Sequence, residues 1–225
     1  MYKQSVYLHV EGLLSAPQIE QLKLFSNQAS YEDGRITASN AAREVKNNLQ
    51  INTQSQQYMA MQQIMLGAMN QNHLFRNAIL PKNVYPFLIS KYKEGMNYGW
   101  HVDSPLMGNM MRTDVAMTIF LNDPSEYEGG ELELQSPSGS ILYKLNKGDA
   151  VCYPCTQLHQ VREVTSGERH VAVTWIESMV RCPESRKILF DIQQVIDSLR
   201  SADLQSAEAH LLQQNHSNLL RMWCN

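Results

Sequence analysis

The sequence predicts an α+β protein with a mainly β core, preceded and followed by helices. Between residues 84 and 180, short apolar or alternating segments are separated by turn-forming residues at intervals of about ten residues. This spacing is typical of a β-sandwich or barrel. Outside that region, apolar residues recur with the helical period. We expect strands within segments 92–101, 114–121, 131–134, 150–153 and 171–176.

Residues 1–83 are expected to support the core with a strand over 6–10 and helices over 16–27 and 54–70. In the second helix the apolar residues follow the helical period, which predicts a face that packs on the sheet. Its members are Tyr58, Met61, Ile64, Met65 and Ala68.

Residues 181–225 are expected to be helical. A helix should begin near Pro183, a second should span residues 203–212, and residues 219–223 should close the chain. With residues 84–180 as the core, we interpret the chain as one elaborated domain. The amphipathic C-terminal helices could form a dimer surface, so a homodimer remains an alternative.

A metal site is predicted from His101, Asp103 and His159. Side chains two positions apart on a strand point to the same face, so His101 and Asp103 can bind one ion together. With His159 from a distant strand they would form a two-histidine, one-carboxylate facial triad. Such a triad leaves about three coordination positions open, as in non-haem Fe(II) oxygenases.

Arg169, ten residues beyond His159, is expected to bind a carboxylate. Its planar guanidinium can donate two parallel hydrogen bonds. We expect Arg169 to open the last strand, with Val171, Val173 and Trp175 on the same face lining the same cavity. A metal site combined with a carboxylate anchor indicates an oxygenase that depends on 2-oxoglutarate.

Several motifs resemble one known family. They are the residues at 45–50, 98–103, 112–114, 120–124, 127–132, 159–164, 175–181 and 218–223. In these segments the chain is similar to the bacterial PKHD-type hydroxylases, which are relatives of prolyl and lysyl hydroxylases.

The resemblance implies a double-stranded β-helix of the jelly-roll or cupin kind. It also implies Fe(II) as the metal, O2 and 2-oxoglutarate as cosubstrates, and L-ascorbate as a supporting reductant. By position, His101, Asp103 and His159 take the iron-ligand roles, and Arg169 takes the 2-oxoglutarate role.

The same resemblance suggests roles for aromatic residues. Tyr92 is expected to contact 2-oxoglutarate and Tyr98 to border the substrate channel. Phe120 departs from the pattern, since some animal prolyl hydroxylases have at this position a tyrosine that bonds the 5-carboxylate. Thr118, on the same strand face, could supply that bond instead, and Trp175 completes the expected cosubstrate set.

The remaining histidines and the cysteines are given structural roles. His170 should point away from the metal because it follows Arg169 directly on a strand. Cys152 and Cys155 form a single C-x2-C, without a second pair at zinc-ribbon spacing, and are interpreted as reduced and structural. The histidines without a carboxylate at ligand spacing are His9, His73, His210 and His216.

Composition limits the partners. The 19 basic and 22 acidic residues of the 225 form no basic run, so neither nucleic acid nor an anionic membrane is expected to bind. No apolar window reaches the roughly 18 residues of a membrane span. The amino terminus lacks a signal-peptide layout, which favours the cytoplasm.

Alternative functions are less well supported. A zinc hydrolase motif with its own base is missing, and a cupin-like binding module has no need of Arg169. Position 175 is Trp175, where a nucleic-acid demethylase would carry a second arginine. A prolyl residue of a protein is the leading substrate by resemblance, and a small molecule linked to iron uptake is the alternative.

Overall fold

The structure is a computed structural model that describes residues 7–38, 41–108 and 110–224. The strand expected at 6–10 is present as Leu8–Val10, and Val6 lies outside the described residues. The α-helices are α1 (Ala16–Gln28), α2 (Ala41–Glu44), α3 (Gln56–Gln71), α4 (His73–Ile79), α5 (Pro183–Ala202) and α6 (Ala207–Trp223). Short 3-10 helices span Gly34–Thr37 and Pro124–Glu126.

The strands of the first half of the chain are β1 (Leu8–Val10), β2 (Tyr31–Asp33), β3 (Lys46–Asn47), β4 (Leu49–Ile51), β5 (Pro81–Val84), β6 (Leu88–Lys93), β7 (Asn97–His101) and β8 (Leu106–Met107). Those of the second half are β9 (Met111–Arg112), β10 (Val115–Phe120), β11 (Tyr127–Gly129), β12 (Leu132–Ser136), β13 (Gly139–Tyr143), β14 (Ala150–Pro154), β15 (His159–Val161) and β16 (Val164–Ser178).

Two antiparallel sheets build the core. The larger has the strand order β1-β14-β10-β16-β6-β4-β2, with β5 and β11 also paired to β16. The smaller has the order β13-β12-β15-β7-β3, and β8 and β9 form a separate pair. Apolar residues of both sheets, among them Phe120, Leu134 and Val161, pack in one buried cluster. The architecture is the double-stranded β-helix that the sequence analysis expected.

The N-terminal helices cover the larger sheet on its opposite face. Met61, Met65 and Met69 of α3 are buried there together with Phe87 and Met117 of the core region. The expected methionine-rich packing face is therefore present. Because helices cover one face and the smaller sheet covers the other, the central strands of the larger sheet are buried on both sides.

Helix capping explains α4, which the sequence analysis did not anticipate. Asn72 ends α3, and its side-chain oxygen accepts a hydrogen bond from Phe75 N at 2.8 Å, which starts α4. A single residue thus closes one helix and opens the next. The spacing of apolar residues gave no indication that a second helix begins directly after the end of α3.

Two expected boundaries were wrong. The segments at 203–212 and 219–223 belong to one helix, α6, because the polar residues between them include neither glycine nor proline. Arg169 does not open the last strand, since β16 begins five residues earlier, at Val164, where it pairs with β11. Arg169 consequently lies well inside β16, where it has a strand partner on β6.

The turn from β11 to β12 depends on Gly129. Its φ is +70°, and a Cβ on this residue would lie 2.1 Å from the carbonyl oxygen of Glu163. The backbone just before β16 therefore lies closer to this turn than any residue with a Cβ would permit.

We expect Gly129→Ala to lower the free energy of unfolding more than Gly12→Ala does. Gly12 has a similar φ of +58° but open space around it, so both substitutions incur the left-handed cost of about 1–2 kcal/mol. Only Gly129→Ala adds a steric clash with the backbone, worth about 1–3 kcal/mol. Urea unfolding of the two variants measures the difference, and equal destabilisation would contradict the steric argument.

Candidate metal centre and cosubstrate cavity

A cavity of about 200 Å³ lies between the two sheets. Its wall includes polar groups from both sheets and apolar side chains such as Leu88, Leu132 and Val173. All eight residues that the sequence analysis assigned to the site line this cavity, namely Tyr92, Tyr98, His101, Asp103, Thr118, His159, Arg169 and Trp175.

The two histidines of the expected triad form a cross-strand pair. His101 ends β7, His159 begins β15, and the antiparallel register places them directly opposite each other, with ring centroids 4.2 Å apart. Asp103 lies two residues beyond the end of β7 and not on a strand. Its Oδ1 is 3.9 Å from His159 Nε2. The three ligand atoms lie within 4.8 Å of one another, so one ion can bind between them.

Backbone carbonyls orient both imidazole rings. His101 Nδ1 lies 2.8 Å from the oxygen of Gly99, and His159 Nδ1 lies 2.9 Å from the oxygen of Gln157. Because a carbonyl only accepts, each Nδ1 must carry a proton and donate it. Each neutral ring then presents the lone pair of Nε2 to the cavity, which is the arrangement of metal-binding histidines.

Aromatic rings and burial hold this arrangement. Tyr98 stacks on His101 with a centroid distance of 3.6 Å, and Tyr153 meets His159 edge-on at 5.1 Å. Burial, aided by the neighbouring His159, lowers the pKa of His101 to about 3. The ring is therefore neutral at physiological pH and can act as a ligand.

Asp103 completes the donor set. Burial raises its pKa, while His159, the indole of Trp175 and Lys46 act in the opposite direction. Its Oδ2 has no hydrogen-bond partner, and Trp175 Nε1 does not reach hydrogen-bonding geometry. A buried carboxylate beside two imidazoles is stabilised by a cation. Two histidines and one carboxylate on one side of the cavity fit Fe(II).

Arg169 is the most deeply buried charged residue of the cavity, with 1% of its surface exposed. Its guanidinium carbon lies 5.1 Å from the Tyr92 ring centroid and 5.7 Å from that of Phe120. Nε and Nη1 have no hydrogen-bond partner, and no described carboxylate lies within ion-pair distance. Since a buried cation is costly without an anion, this environment fits a carboxylate of 2-oxoglutarate.

Tyr127 lies beside the cavity and was not singled out in the sequence analysis. Its hydroxyl is buried and has no partner in hydrogen-bonding geometry among the described residues. Burial raises the pKa of Tyr127, and the nearby Arg169 guanidinium partly offsets this effect. The two side chains meet at Gly130, where an added Cβ would lie about 3 Å from both. The only sequence signal was a tyrosine next to a diglycine turn, which does not specify a side-chain position.

Phe120 and Thr118 differ in their surroundings. Thr118 lines the cavity as expected, whereas Phe120 packs against Arg169 within the buried cluster. Three residues were expected to share the face of Arg169 and to line the cavity. Val173 and Trp175 do line it, while Val171 is fully buried in the apolar cluster between the sheets.

Lys46 and Asn48 were also missed. Both are buried and line the cavity from the short segment that contains β3 and β4. The alternation of polar and other residues over 45–50 resembles an ordinary edge strand, so nothing in the pattern indicated an inward polar face.

Unpaired buried polar atoms concentrate at this cavity. Among the described residues, eight buried side-chain nitrogen or oxygen atoms lack a hydrogen-bond partner. Seven of them belong to only five residues, all in or beside the cavity: Asn48, Asp103, Tyr127, Arg169 and Trp175. Because such atoms are rare in folded proteins, their clustering indicates a site built for polar ligands.

The groups that the sequence analysis set aside lie elsewhere or are unsuited to binding. His170 points to the other face of the larger sheet, where its Nε2 lies 3.2 Å from Glu168 Oε2. Burial raises the pKa of the free thiols of Cys152 and Cys155, which agrees with a structural role. Within the described part of the chain, no helix has the length and apolar character needed to cross a membrane.

Comparison with known structures agrees with the fold. The chain superposes on a Pseudomonas putida prolyl-4-hydroxylase with a TM-score of 0.51 and 16% identity, covering 76% of this chain and 92% of the other. It superposes on SnoK, a non-heme alpha ketoglutarate dependent carbocyclase from nogalamycin biosynthesis, with a TM-score of 0.59 and 13% identity, covering 80% and 85%.

Sequence comparison identifies the family. Residues 87–177 match the model of the 2OG-Fe(II) oxygenase superfamily. A PKHD-type hydroxylase of Crocosphaera subtropica is 39% identical over 97% of this chain and 99% of its own length. One from a Psychrobacter species is 45% identical over 82% of this chain and 74% of its own. With a two-histidine, one-carboxylate cluster facing a buried arginine, the chain belongs to the PKHD-type hydroxylases of the 2OG-Fe(II) oxygenase superfamily.

Proposed function

We propose that this protein hydroxylates a prolyl residue of a protein, using Fe(II), O2 and 2-oxoglutarate. The observation that carries the proposal is the cluster of unpaired buried polar atoms around one cavity, with His101 and His159 on one sheet and the Arg169 guanidinium on the other. The prolyl residue as substrate is supported by the family resemblance and by the prolyl hydroxylases among its structural relatives.

The proposed roles of the residues follow from their positions. His101, Asp103 and His159 hold Fe(II), and the carbonyls of Gly99 and Gln157 keep the imidazoles in the ligand tautomer. When bound, metal and cosubstrate supply the oxidising chemistry, in which 2-oxoglutarate and O2 yield succinate, CO2 and a hydroxylated substrate.

Arg169 binds the 5-carboxylate of 2-oxoglutarate, and the Tyr127 hydroxyl donates a further hydrogen bond to it. Tyr92 and Thr118 border the cosubstrate, as their places in the cavity wall allow. Trp175 closes the wall beside Asp103, and its Nε1 is available to that carboxylate.

The substrate enters past Tyr98, which is half-buried and stacked on His101. The apolar wall formed by Leu88, Leu132, Val161 and Val173 excludes water from the bound carboxylates. Exclusion of water strengthens each electrostatic contact in the cavity.

We further propose L-ascorbate as the reductant that restores Fe(II), and the cytoplasm as the site of action.

A small molecule linked to iron uptake is the second candidate substrate. The small cavity volume of about 200 Å³ favours it over a folded protein partner, although an extended chain could present a single prolyl ring. The two candidates differ in the molecule that gains oxygen, so they can be separated by experiment.

We expect His159→Ala to abolish both stoichiometric iron binding and succinate release without added substrate. Two remaining ligands hold Fe(II) poorly, and uncoupled decarboxylation requires the metal. His170→Ala is the matched control, because His170 lies on the opposite face of the larger sheet and should leave both properties intact. Iron content and succinate are the measurements. A His159→Ala protein with wild-type values would remove His159 from the ligand set.

Arg169→Ala should weaken 2-oxoglutarate binding while leaving the metal bound. Loss of a charge pair in a buried cavity costs about 2–5 kcal/mol, and Arg169→Lys should recover only part of it because a point charge replaces a planar fork.

Tyr127→Phe should weaken 2-oxoglutarate binding about ten-fold through loss of one hydrogen bond to a charged group. The control Tyr31→Phe removes a hydroxyl that bonds Ser26 outside the cavity. Titration of 2-oxoglutarate into the Mn(II) forms gives the dissociation constants. Unchanged values would show that these residues do not bind the cosubstrate.

Incubation of a cell lysate with Fe(II), 2-oxoglutarate, O2 and the enzyme should add the mass of one oxygen atom to prolyl residues of specific proteins. Mass spectrometry of the protein and the small-molecule fractions locates the added oxygen, and an Asp103→Ala protein provides the background. Incorporation confined to the small-molecule fraction would replace the prolyl proposal with the second candidate.

A further inference from the structure

Lys46 is a second buried cation in the cavity. Only 6% of its surface is exposed, and its Nζ donates one hydrogen bond, to Thr37 Oγ1 at 2.9 Å. Asp103 and Asp33 influence its pKa, but neither lies within ion-pair distance in the described structure. Burial lowers the pKa of Lys46 to about 8, so the ammonium remains mostly protonated at neutral pH. Of its three N–H donors, two have no acceptor among the described residues.

The backbone explains why this lysine points inward. β3 pairs with β7 of the smaller sheet, with Lys46 opposite Tyr98, whereas β4 pairs with β6 of the larger sheet, with Gln50 opposite Ser90. The segment therefore crosses from one sheet to the other along the cavity. The alternate residues Lys46, Asn48 and Gln50 are buried and line its wall.

Gln50 is already paired, but Asn48 is not. Gln50 accepts from Thr37 and donates to Ser90. Asn48 is 3% exposed, and neither its Nδ2 nor its Oδ1 has a partner in hydrogen-bonding geometry among the described residues, although the amide lies near enough to Tyr92 to act against the rise in the pKa of that hydroxyl. Its side chain occupies the space beside Gly34, where an added Cβ would lie 1.8 Å from Oδ1. The close packing fixes the position of this amide. Its Nδ2 is therefore a preorganised donor for a ligand.

The proposed cosubstrate does not require Lys46. Arg169 on the larger sheet, with Tyr127 beside it, serves the 5-carboxylate. The Lys46 ammonium lies on the other side, 5.2 Å from the centroid of Tyr98, the residue that stacks on His101 and borders the proposed substrate entry. The cation thus lies beside Tyr98, at the proposed substrate entry.

We propose that Lys46 and Asn48 form a subsite that binds a carboxylate of the primary substrate. The inference rests on the proposed function, since it assigns the substrate class of that same cavity. The ammonium supplies the charge and Asn48 Nδ2 supplies a directed hydrogen bond. The carboxylate belongs either to the proline-like molecule that is hydroxylated or to an acidic side chain next to a prolyl residue.

The test uses binding without turnover. The protein is loaded with Zn(II) and N-oxalylglycine, an unreactive analogue of 2-oxoglutarate, and probes are titrated by ligand-observed NMR. One pair of probes is N-acetyl-L-proline and its amide, which places the carboxylate on the ring residue itself. The other pair is acetyl-Glu-Pro-amide and acetyl-Gln-Pro-amide, which places it on a neighbouring side chain.

In one of the two pairs, the carboxylate member should bind about 30-fold or more tightly than the amide member, as expected for a buried charge pair. Lys46→Met should abolish this preference. Lys91→Met, which removes a half-buried lysine that contacts Tyr31 and Glu168 away from the cavity, should retain it. The pair that shows the preference identifies the source of the carboxylate.

Three outcomes would overturn the proposal. They are the absence of a preference in both pairs, a preference that survives in Lys46→Met, and a loss of N-oxalylglycine binding in Lys46→Met as large as in Arg169→Ala. The last outcome would assign Lys46 to the cosubstrate. Failure of the proposed function has a different signature, because the wild-type protein would then release no succinate with Fe(II), 2-oxoglutarate and O2.

Folding of the variant does not limit the test. Removal of an unpaired buried charge should leave the thermal unfolding midpoint unchanged or raise it. Lys46→Gln, a second neutral variant, should also lose the carboxylate preference, and Lys46→Arg should retain part of it.

Discussion

The guanidinium of Arg169 is almost fully buried without a carboxylate partner, and the inner face of the larger sheet is arranged around it. A charge in such a place is costly, so its neighbours must be of a kind that tolerates a cation. The rings of Tyr92 and Phe120 provide cation–π contacts, and Tyr127 presents a hydroxyl. β16 pairs with β6 at Arg169 and with β10 from Val171 onward, which holds the arginine in place.

The two histidines of the proposed metal site are independent of this arrangement because they belong to the other sheet. The pairing of β7 with β15 sets the two imidazoles opposite each other, and backbone carbonyls fix their orientation. The separation between the proposed metal site and the Arg169 guanidinium is therefore determined by sheet-to-sheet packing, which is typically about 10 Å in such folds. The proposed cosubstrate would bind the metal site with one end and Arg169 with the other. The two rigid sheets set the distance between these two places, so no flexible loop has to do so.

The fold class could be predicted, and so could the residues that meet in the cavity, because their signals are local. The H-x-D spacing, the β-turn residues and the helical period of α3 each depend on neighbours along the chain. Tyr127, Lys46 and Asn48 could not be predicted, because their inward positions result from a bulged turn at Gly129 and from a segment that changes sheets. The register of His101 with His159 was equally inaccessible, since strand pairing over such a separation leaves no trace in local periodicity.

The length of β16 limits how this chain can vary. Over its fifteen residues, alternate side chains face the cavity or the helix layer: Arg169 and Trp175 lie on one face, and Ala172 and Ile176 lie on the other. A one-residue insertion or deletion within the strand would exchange the two faces beyond that point. The guanidinium or the indole would then enter the methionine-rich layer against α3. Changes of chain length compatible with the site are consequently confined to surface connections such as the turn between β12 and β13.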